Sequence, residues 1–188
     1  MTASLIYVVG PSGSGKDSLI AYAREQLGAE PGVCFAHRYI TRPADAGGEN
    51  HVALTPQEFD ARLHARLFAL HWQSHGLHYG IGIEINQWLG KGVVVVVNGS
   101  RAHLPQARAS YPELRPVHIT VSSEILRQRL LARGRETEEQ VAQRLARNCQ
   151  LDNSPTSGVV IRNDDRLEVA GEALVAAIRQ YGGVAACA

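Results

Sequence analysis

The chain has 188 residues, the length of one domain, and its 19 basic and 18 acidic residues leave a formal net charge of +1, which argues against a dedicated nucleic-acid binder. Its run of valines at 93–97 is far too short to span a bilayer, and its three cysteines have no metal-ligand spacing. We expect a cytoplasmic protein with reduced thiols, without a signal peptide and without a membrane or nucleic-acid partner.

The first functional pattern is a glycine-rich loop, Gly10-Pro11-Ser12-Gly13-Ser14-Gly15-Lys16-Asp17. Residues 4–9 before it predict a buried parallel strand, and the apolar spacing from 18 to about 27 predicts a helix. In this context the glycines let successive N–H groups point at phosphate oxygens, and Lys16 adds a charge for the β- and γ-phosphates. The loop predicts that the chain binds a nucleoside triphosphate.

The last position of this loop is unusual, because Asp17 stands where Ser or Thr normally holds Mg²⁺. A carboxylate is a good magnesium ligand, so Asp17 is a candidate to bind the ion directly or through a water molecule. Ser18 is a second candidate. The alternative is that Asp17 only caps the start of the helix.

The rest of the chain alternates strands with helices. Residues 33–41 are predicted to be extended, a capping box at 55–58 predicts a helix to about 67 that buries Phe59, Leu63 and Leu67, and 72–82 is punctuated by glycine. The later predictions are a helix at 83–89, a central strand at 93–97, a helix at 102–111, a strand at 117–121, helices at 124–132 and 137–149, a strand at 159–161 and a helix at 167–181. This α/β pattern predicts a parallel sheet flanked by helices, with the nucleotide at the carboxyl ends of its strands.

Six arginines lie within twenty-one residues around Gly134, at positions 127, 129, 133, 135, 144 and 147. Phosphoryl transfer needs positive charge on the migrating group, so this segment is predicted to be a lid at about 127–148. Arg133 and Arg135 flank the glycine and are the candidates to face phosphate as catalytic residues. The alternative is that many of these arginines only solvate helix surfaces.

A second basic segment carries Arg38, Thr41 and Arg42, followed by a glycine-containing polar loop. It is predicted to bind an acceptor that already carries phosphate, and the alternative is a basic surface loop. The histidines at 71, 75 and 78 could form a metal cluster, but polar lining of a pocket or packing is the favoured interpretation, since no nearby acidic or cysteine ligand completes such a site.

These motifs together resemble the guanylate kinase-like branch of the P-loop nucleoside monophosphate kinases, over nearly the full length. The matching positions are the phosphate loop, Thr41-Arg42, Tyr79-Gly80, Arg133-Gly134 with Glu136, and Asn163-Asp164. There are three departures: Asp17-Ser18 replaces Ser-Thr, no second arginine follows Thr41-Arg42, and the strand at 93–97 leads into Asn98-Gly99 where that branch has an aspartate.

The departures match the ribose 1,5-bisphosphate phosphokinase (PhnN) family of phosphonate catabolism, which six blocks resemble in order: 10–19, 37–42, 49–51, 79–80, 97–101 and 133–136. The resemblance implies a P-loop NTPase fold in one domain, 1–188, with an acceptor-binding insertion at about 36–82. It implies transfer of the γ-phosphoryl of ATP, with Mg²⁺, to ribose 1,5-bisphosphate, giving 5-phosphoribosyl 1-diphosphate. It assigns the nucleotide to the phosphate loop with Lys16, Ser18 and Asn163, and the acceptor to Arg38, Thr41, Arg42, Glu49, Tyr79, Asn98 and Arg101.

Two other functions remain open at this point. The first is a kinase of nucleoside monophosphates that acts on GMP. The second is a guanylate kinase-like module that binds a protein partner without catalysis, although a binding module has no use for Gly15-Lys16 and an arginine lid. The partners expected are a sugar bisphosphate and ATP.

Overall fold

The computed structural model describes residues 3–46, 49–132, 139, 141–143, 145–146 and 157–183. In chain order the elements are β1 (Ser4–Val9), α1 (Lys16–Leu27), β2 (Val33–Phe35), β3 (Arg38–Ile40), β4 (Val52–Ala53), α2 (Pro56–His64), β5 (Phe68–Ser74), β6 (Leu77–Gly82), α3 (Glu84–Gly90), β7 (Val94–Asn98), α4 (Leu104–Ser110), β8 (Arg115–Thr120), α5 (Ser123–Ala132), β9 (Val159–Arg162) and α6 (Leu167–Gly182). A 3₁₀ turn spans Ala44–Ala46.

Five parallel strands form the main sheet, in the order β2-β7-β1-β8-β9. Alternate residues of β1 point to opposite faces, so Ile6 and Val8 pack against α1 and α6 in one apolar core, while Tyr7 and Val9 belong to a second core on the other face. Both faces of the sheet are therefore covered, which explains why its inner strands read as continuous apolar runs. The parallel sheet flanked by helices confirms the predicted fold class.

A smaller sheet, β4-β3-β6-β5, stands beside the main sheet and carries the segment predicted to bind the acceptor. Its β5 and β6 form an antiparallel hairpin in which Ser74 pairs with Leu77. The two turn residues between them, His75 and Gly76, both have positive φ, at 50° and 75°, as a tight hairpin turn requires. Sequence reasoning treated 72–82 only as a glycine-punctuated stretch and missed this hairpin.

The predicted helix from 55 to about 67 is too long. The capping box at Thr55 and Glu58 is present, but α2 ends at His64 because Arg66 takes a positive φ of 56° and its N–H bonds back to Leu63. As a result Phe59 is buried, Leu63 is only partly buried, and Leu67 is 46% exposed. The predicted buried face was therefore correct at one of its three positions.

The later elements follow the predictions closely. The strand predicted at 93–97 is β7, which is paired on both sides by β1 and β2. The helices α3, α4, α5 and α6 lie within two residues of their predicted bounds. The helix predicted at 137–149 lies largely outside the described residues. None of the helices in the described part of the chain combines the length and apolar composition needed to cross a bilayer.

Candidate functional site

The phosphate loop connects the carboxyl end of β1 to the amino end of α1, as predicted. Gly13 and Gly15 have φ of 94° and 81°, a backbone region that residues other than glycine rarely adopt. The loop closes on itself through a hydrogen bond from Ser14 N to the Pro11 carbonyl at 3.1 Å. The helix that follows presents its free backbone N–H groups, and hence partial positive charge, to this loop.

Two side chains from distant parts of the chain bind the Ser14 carbonyl. Asn163 Nδ2 donates to that oxygen at 2.6 Å, and an Arg129 guanidinium nitrogen (Nη1) donates at 3.4 Å. In a trans peptide the C=O and the following N–H point in opposite directions, so fixing the Ser14 carbonyl also fixes the direction of the Gly15 N–H. Asn163 and Arg129 thereby set the orientation of a backbone donor in the loop.

Two buried polar atoms in this region have no hydrogen-bond partner among the described residues. They are the Ser14 hydroxyl oxygen and the Asn163 side-chain oxygen, Oδ1, in residues that are 0% and 3% exposed. A buried polar atom without a partner costs free energy, so a bound ligand that supplies a partner is favoured here. The glycine cradle and these open atoms fit the phosphates and polar groups of a nucleotide.

Lys16 is bound by Asn98, the last residue of β7. The Lys16 ammonium donates to Asn98 Oδ1 at 2.7 Å and to Asp17 Oδ1 at 3.4 Å. The Asn98 amide nitrogen in turn donates to Asp17 Oδ1 at 2.9 Å and to Glu49 Oε2 at 2.7 Å. Asn98, predicted to contact the acceptor, therefore joins the phosphate loop to the segment around Glu49.

The charges of this cluster shift the pKa values of its members. Burial lowers the pKa of Lys16, and the Asp17 and Glu49 carboxylates only partly oppose that effect. Burial would raise the pKa of Asp17, but the charges of Lys16 and Arg38 and the Asn98 hydrogen bond outweigh it, and the pKa falls below its usual value. Asp17 is thus ionised at neutral pH, with its charge directed at the loop lysine.

Arg38 forms a two-pronged ion pair with Glu49. Its Nε lies 2.8 Å and 3.0 Å from the two Glu49 oxygens, and its Nη2 lies 2.6 Å from Oε2. The guanidinium also lies over the Tyr79 ring, 5.2 Å from its centre, and that ring stacks on Trp72 at 5.5 Å. Three predicted acceptor residues, Arg38, Glu49 and Tyr79, are therefore in one contact group.

Arg42 is held by His51. The His51 Nδ1 lies 3.3 Å from Arg42 Nη2 and 3.2 Å from the Glu49 carbonyl oxygen. Because a guanidinium can only donate, we assign Nδ1 as its acceptor and the proton to Nε2, which donates to the Arg42 carbonyl oxygen at 3.1 Å. The Nε of Arg42 is buried and has no acceptor among the described residues. Thr41 is used structurally, because its hydroxyl accepts from the His78 backbone N–H at 2.9 Å.

The remaining predicted residues are more scattered. Arg101 lies half-buried in the turn after β7, and Ser18 is exposed in the first turn of α1. Arg133 and Arg135 lie outside the described residues. The alternative role of Asp17 as a helix cap does not hold, because Gly15 is the residue at the cap position and no side chain caps it.

Part of this network lines a cleft of about 300 Å³, the central cleft, whose lining residues include Asp17, Ile20, Arg24, Arg38, Glu49 and Asn98. Sequence reasoning did not assign Arg24, His51 or Arg129 to the site. Arg24 had a usable signal, since it lies seven residues after Asp17 and hence on the same face of a helix. Arg129 lies in the arginine segment predicted as a lid and His51 in the block 49–51, but the contacts that these two side chains make depend on how the chain folds.

Comparison with known proteins gives a consistent result. Residues 6–151 match the family model described as AAA domain. A Thiobacillus denitrificans protein named ribose 1,5-bisphosphate phosphokinase PhnN is 62% identical over 171 residues, which cover 91% of this chain and 90% of that protein. Proteins of the same name from Chromobacterium violaceum and Burkholderia pseudomallei are 54% and 53% identical, and the matches cover 99% and 92% of this chain and 98% and 93% of those proteins.

Two solved structures share the fold at low sequence identity. The guanylate kinase from Anaplasma phagocytophilum has a TM-score of 0.69 at 17% identity, covering 95% of this chain and 86% of that one. An unliganded sugar kinase from a Janibacter species has a TM-score of 0.53 at 18% identity, covering 98% and 99%. At these identities the likeness extends to the fold alone.

Proposed function

Because the chain belongs to the ribose 1,5-bisphosphate phosphokinase (PhnN) family of P-loop kinases, we propose that it transfers the γ-phosphoryl group of ATP to ribose 1,5-bisphosphate. An oxygen of the acceptor's 1-phosphate forms a bond to the γ-phosphorus, and the bond from that phosphorus to the β,γ-bridging oxygen breaks. The products are 5-phosphoribosyl 1-diphosphate (PRPP) and ADP. The attacking oxygen is already ionised at neutral pH, so the reaction needs alignment and charge neutralisation rather than a catalytic base.

One observation carries this proposal: an unbroken series of contacts runs from the phosphate loop to the acceptor segment. Lys16 contacts Asn98 at 2.7 Å, Asn98 contacts Glu49 at 2.7 Å, and Glu49 contacts Arg38 at 2.6 Å. Donor and acceptor phosphates bound at the two ends of this series would face each other across the central cleft. Such an arrangement supports transfer between two phosphorylated molecules.

The charged residues have distinct roles in this proposal. Lys16 neutralises the transferring phosphoryl group, and Arg42 holds the acceptor's reacting phosphate through its buried Nε, which has no partner among the described residues. Arg38, with its orientation fixed by Glu49 and Tyr79, adds positive charge beside that phosphate. Arg133 and Arg135 are proposed to close over the reaction from the lid.

Magnesium fits the same cleft by donor chemistry. Mg²⁺ prefers oxygen ligands, especially carboxylates, and the carboxylates of Asp17 and Glu49 both contact one amide nitrogen, Asn98 Nδ2. When bound with ATP, the ion would offset negative charge on the β- and γ-phosphates. Asp17 is the residue that we propose to hold it, with Ser18 as the second candidate.

The proposed setting is phosphonate catabolism in the cytoplasm, where ATP is abundant. In that setting, phosphorylation of ribose 1,5-bisphosphate to PRPP would be the step that converts a phosphorylated ribose into an activated ribose. Loss of this reaction should make a bacterium that relies on it accumulate ribose 1,5-bisphosphate when phosphonate is its phosphorus source.

A direct assay tests the proposed reaction. Purified protein is incubated with ATP and Mg²⁺ and with ribose 1,5-bisphosphate, GMP or AMP, while ADP release and PRPP formation are measured. We expect PRPP with the bisphosphate and little or no ADP with GMP, because a site built around one substrate discriminates against others by up to about 10⁴-fold. Lys16→Ala serves as the inactive control. Comparable kcat/KM for GMP and the bisphosphate would refute the proposed specificity, and turnover by neither would refute the reaction.

A magnesium titration of Asp17→Ser tests the metal assignment. This change restores the usual loop residue and replaces a full negative charge by a hydroxyl dipole, so we expect the Mg²⁺ midpoint to move to higher concentration, with a smaller change in ATP affinity. Ser18→Ala is the matched comparison and should move the midpoint less. An unchanged midpoint in Asp17→Ser would show that Asp17 does not take part in metal binding.

A further inference from the structure

The central cleft extends along α1, away from the phosphate loop, and Arg24 lies at its far end. Asp17, Ile20 and Arg24 line it from the same helix, and their spacing of three and four residues places them on one face. Two helical turns separate Asp17 from Arg24, a rise of roughly 10 Å. The cleft therefore has an arginine toward each end, Arg38 at the loop end and Arg24 at the other, and Lys16 contacts the lining residues Asp17 and Asn98.

The two ends differ in how their charges are satisfied. At the loop end, Lys16 and Arg38 are paired with the carboxylates of Asp17 and Glu49. In the described part of the chain, no carboxylate lies within ion-pair distance of Arg24. Its guanidinium lies over the Phe35 ring, 5.6 Å from the ring centre. Arg24 is half-buried and lines the cleft, and its guanidinium has no carboxylate partner among the described residues.

We infer that Arg24 binds the second phosphate of the acceptor, the 5-phosphate that does not react, and so makes the enzyme specific for a bisphosphate. This inference rests on the proposed function. The acceptor carries its phosphates at opposite ends of a ribose, and the reacting 1-phosphate must meet the γ-phosphoryl group at the loop end. Its 5-phosphate then lies toward the far end, where a guanidinium can bind it through paired hydrogen bonds.

The cleft has the size and lining for such a ligand. A volume of about 300 Å³ lies at the lower end of the range for small-molecule sites. Besides Ile20, the cleft is lined by the small residues Ala21 and Ala36 and by Asn50. Small side chains leave room for a sugar ring, and an amide can hydrogen-bond its hydroxyls.

Arg24 also has a structural role, and the test must separate the two. It is a basic residue in the last turn of α1, where positive charge stabilises a helix, and its guanidinium lies over the Phe35 ring. A purely structural role would weaken folding or lower activity toward every acceptor equally. Binding of a second phosphate instead changes the preference between acceptors that have it and acceptors that lack it.

The experiment compares ribose 1,5-bisphosphate with ribose 1-phosphate, which lacks only the 5-phosphate. The dissociation constant of each is measured by calorimetry with ADP present, and PRPP formation is measured with ATP and the bisphosphate. The variants are Arg24→Gln, which keeps a polar side chain but removes the charge, and Arg24→Lys, which keeps the charge but lacks the planar guanidinium. Arg115→Ala is the control, because that side chain is 51% exposed at the amino end of β8, the sheet edge opposite the loop.

We expect Arg24→Gln to reduce the preference for the bisphosphate by about tenfold to a hundredfold, the range for charge-assisted hydrogen bonds. Arg24→Lys should fall between Arg24→Gln and wild type, and Arg115→Ala should match wild type. An unchanged preference in Arg24→Gln, with PRPP still formed by the wild type, would overturn the inference alone. Failure of the wild type to form PRPP would overturn the proposed function, and this inference with it.

Discussion

The ammonium nitrogen of Lys16 lies 2.7 Å from the side-chain oxygen of Asn98, a residue 82 positions later in the chain. The amide nitrogen of the same side chain donates to Asp17 at 2.9 Å and to Glu49 at 2.7 Å. A carboxamide can accept from an ammonium and donate to two carboxylates at once, whereas a carboxylate can only accept. Asparagine is therefore the residue type that this position requires.

Replacing Asn98 by Asp should damage the enzyme more than truncating it to Ala. The aspartate has nearly the same shape, but it places a third negative charge beside Asp17 and Glu49 and removes both donated hydrogen bonds. We expect kcat/KM for ATP to fall by about a hundredfold or more, comparable to the loss of a preorganised donor in other active sites, and by less in Asn98→Ala. Steady-state kinetics on both variants provides the comparison.

The pH dependence of the Asn98→Asp variant gives a second readout. Protonation of the new carboxyl restores a donor and removes the extra charge, so part of the lost activity should return at acidic pH. Asn98→Ala cannot recover in this way and is the matched control. Equal losses in the two variants at all pH values would show that the added negative charge has no effect and that only the loss of the carboxamide matters.

The local features of the site could be predicted from the sequence. The phosphate loop follows from a glycine pattern whose strand and helix lie next to it, and β7 follows from an unbroken run of valines. Both signals are contained within about ten residues. The alternation of strands and helices then predicted the parallel sheet, and the phosphate loop lies at the carboxyl end of β1, the edge where the nucleotide is expected.

The relationships that depend on distant pairing could not be predicted. Glu49 is predicted to bind substrate, and its ion pair with Arg38, eleven residues away across a loop, could not be read from the sequence. The β5–β6 hairpin was missed because its turn has His75 at a positive φ, where a glycine or asparagine is the usual signal. Sequence periodicity carries no information about which side chains meet across the cleft.

Lys16 should set the alkaline limit of activity. It must carry a proton to attract phosphate, and burial lowers its pKa from 10.5, so the protonated form is lost at a lower pH than for an exposed lysine. We therefore expect kcat/KM for ATP, which reports the free enzyme, to fall on the alkaline side below pH 10.5. Burial raises the pKa of Tyr7 to about 12, so that neighbouring phenol stays protonated throughout.

Asp17→Asn should move this alkaline limb to lower pH. The Asp17 carboxylate is the strongest group opposing the effect of burial on Lys16, and its removal lets the lysine lose its proton earlier. Glu113→Gln removes a charge that is 92% exposed and should leave the limb in place. Circular dichroism at each pH separates titration from unfolding, and a limb that stayed or moved upward in Asp17→Asn would contradict the assignment to Lys16.

Asn163→Ala should weaken ATP binding through the backbone of the phosphate loop. Without Asn163 the Ser14 carbonyl keeps only the longer contact from Arg129, at 3.4 Å, and the Gly15 N–H loses its fixed direction. We expect the KM for ATP to rise by about tenfold, the value of one or two hydrogen bonds, with a smaller change in the KM for the acceptor. Arg162→Ala is the control, because the Arg162 side chain, next to Asn163 in the sequence, is 73% exposed. Equal increases in the KM for ATP and in the KM for the acceptor would argue against this role of Asn163.

Arg42→Ala should have the opposite selectivity and affect the acceptor. His51 fixes the guanidinium from one side, and the buried Nε of Arg42 has no acceptor among the described residues, so a bound phosphate can satisfy it. We expect kcat/KM for ribose 1,5-bisphosphate to fall by about a hundredfold, because one charge-assisted pair with a phosphate is lost, while ATP binding changes little. Arg42→Lys should recover only part of this activity, since an ammonium lacks the planar fork.

Arg66→Gly is the matched control: it removes an exposed arginine of the same region at a positive φ that glycine tolerates. If Arg42→Ala instead raised the KM for ATP as much as that for the acceptor, the assignment of Arg42 to the acceptor would be wrong.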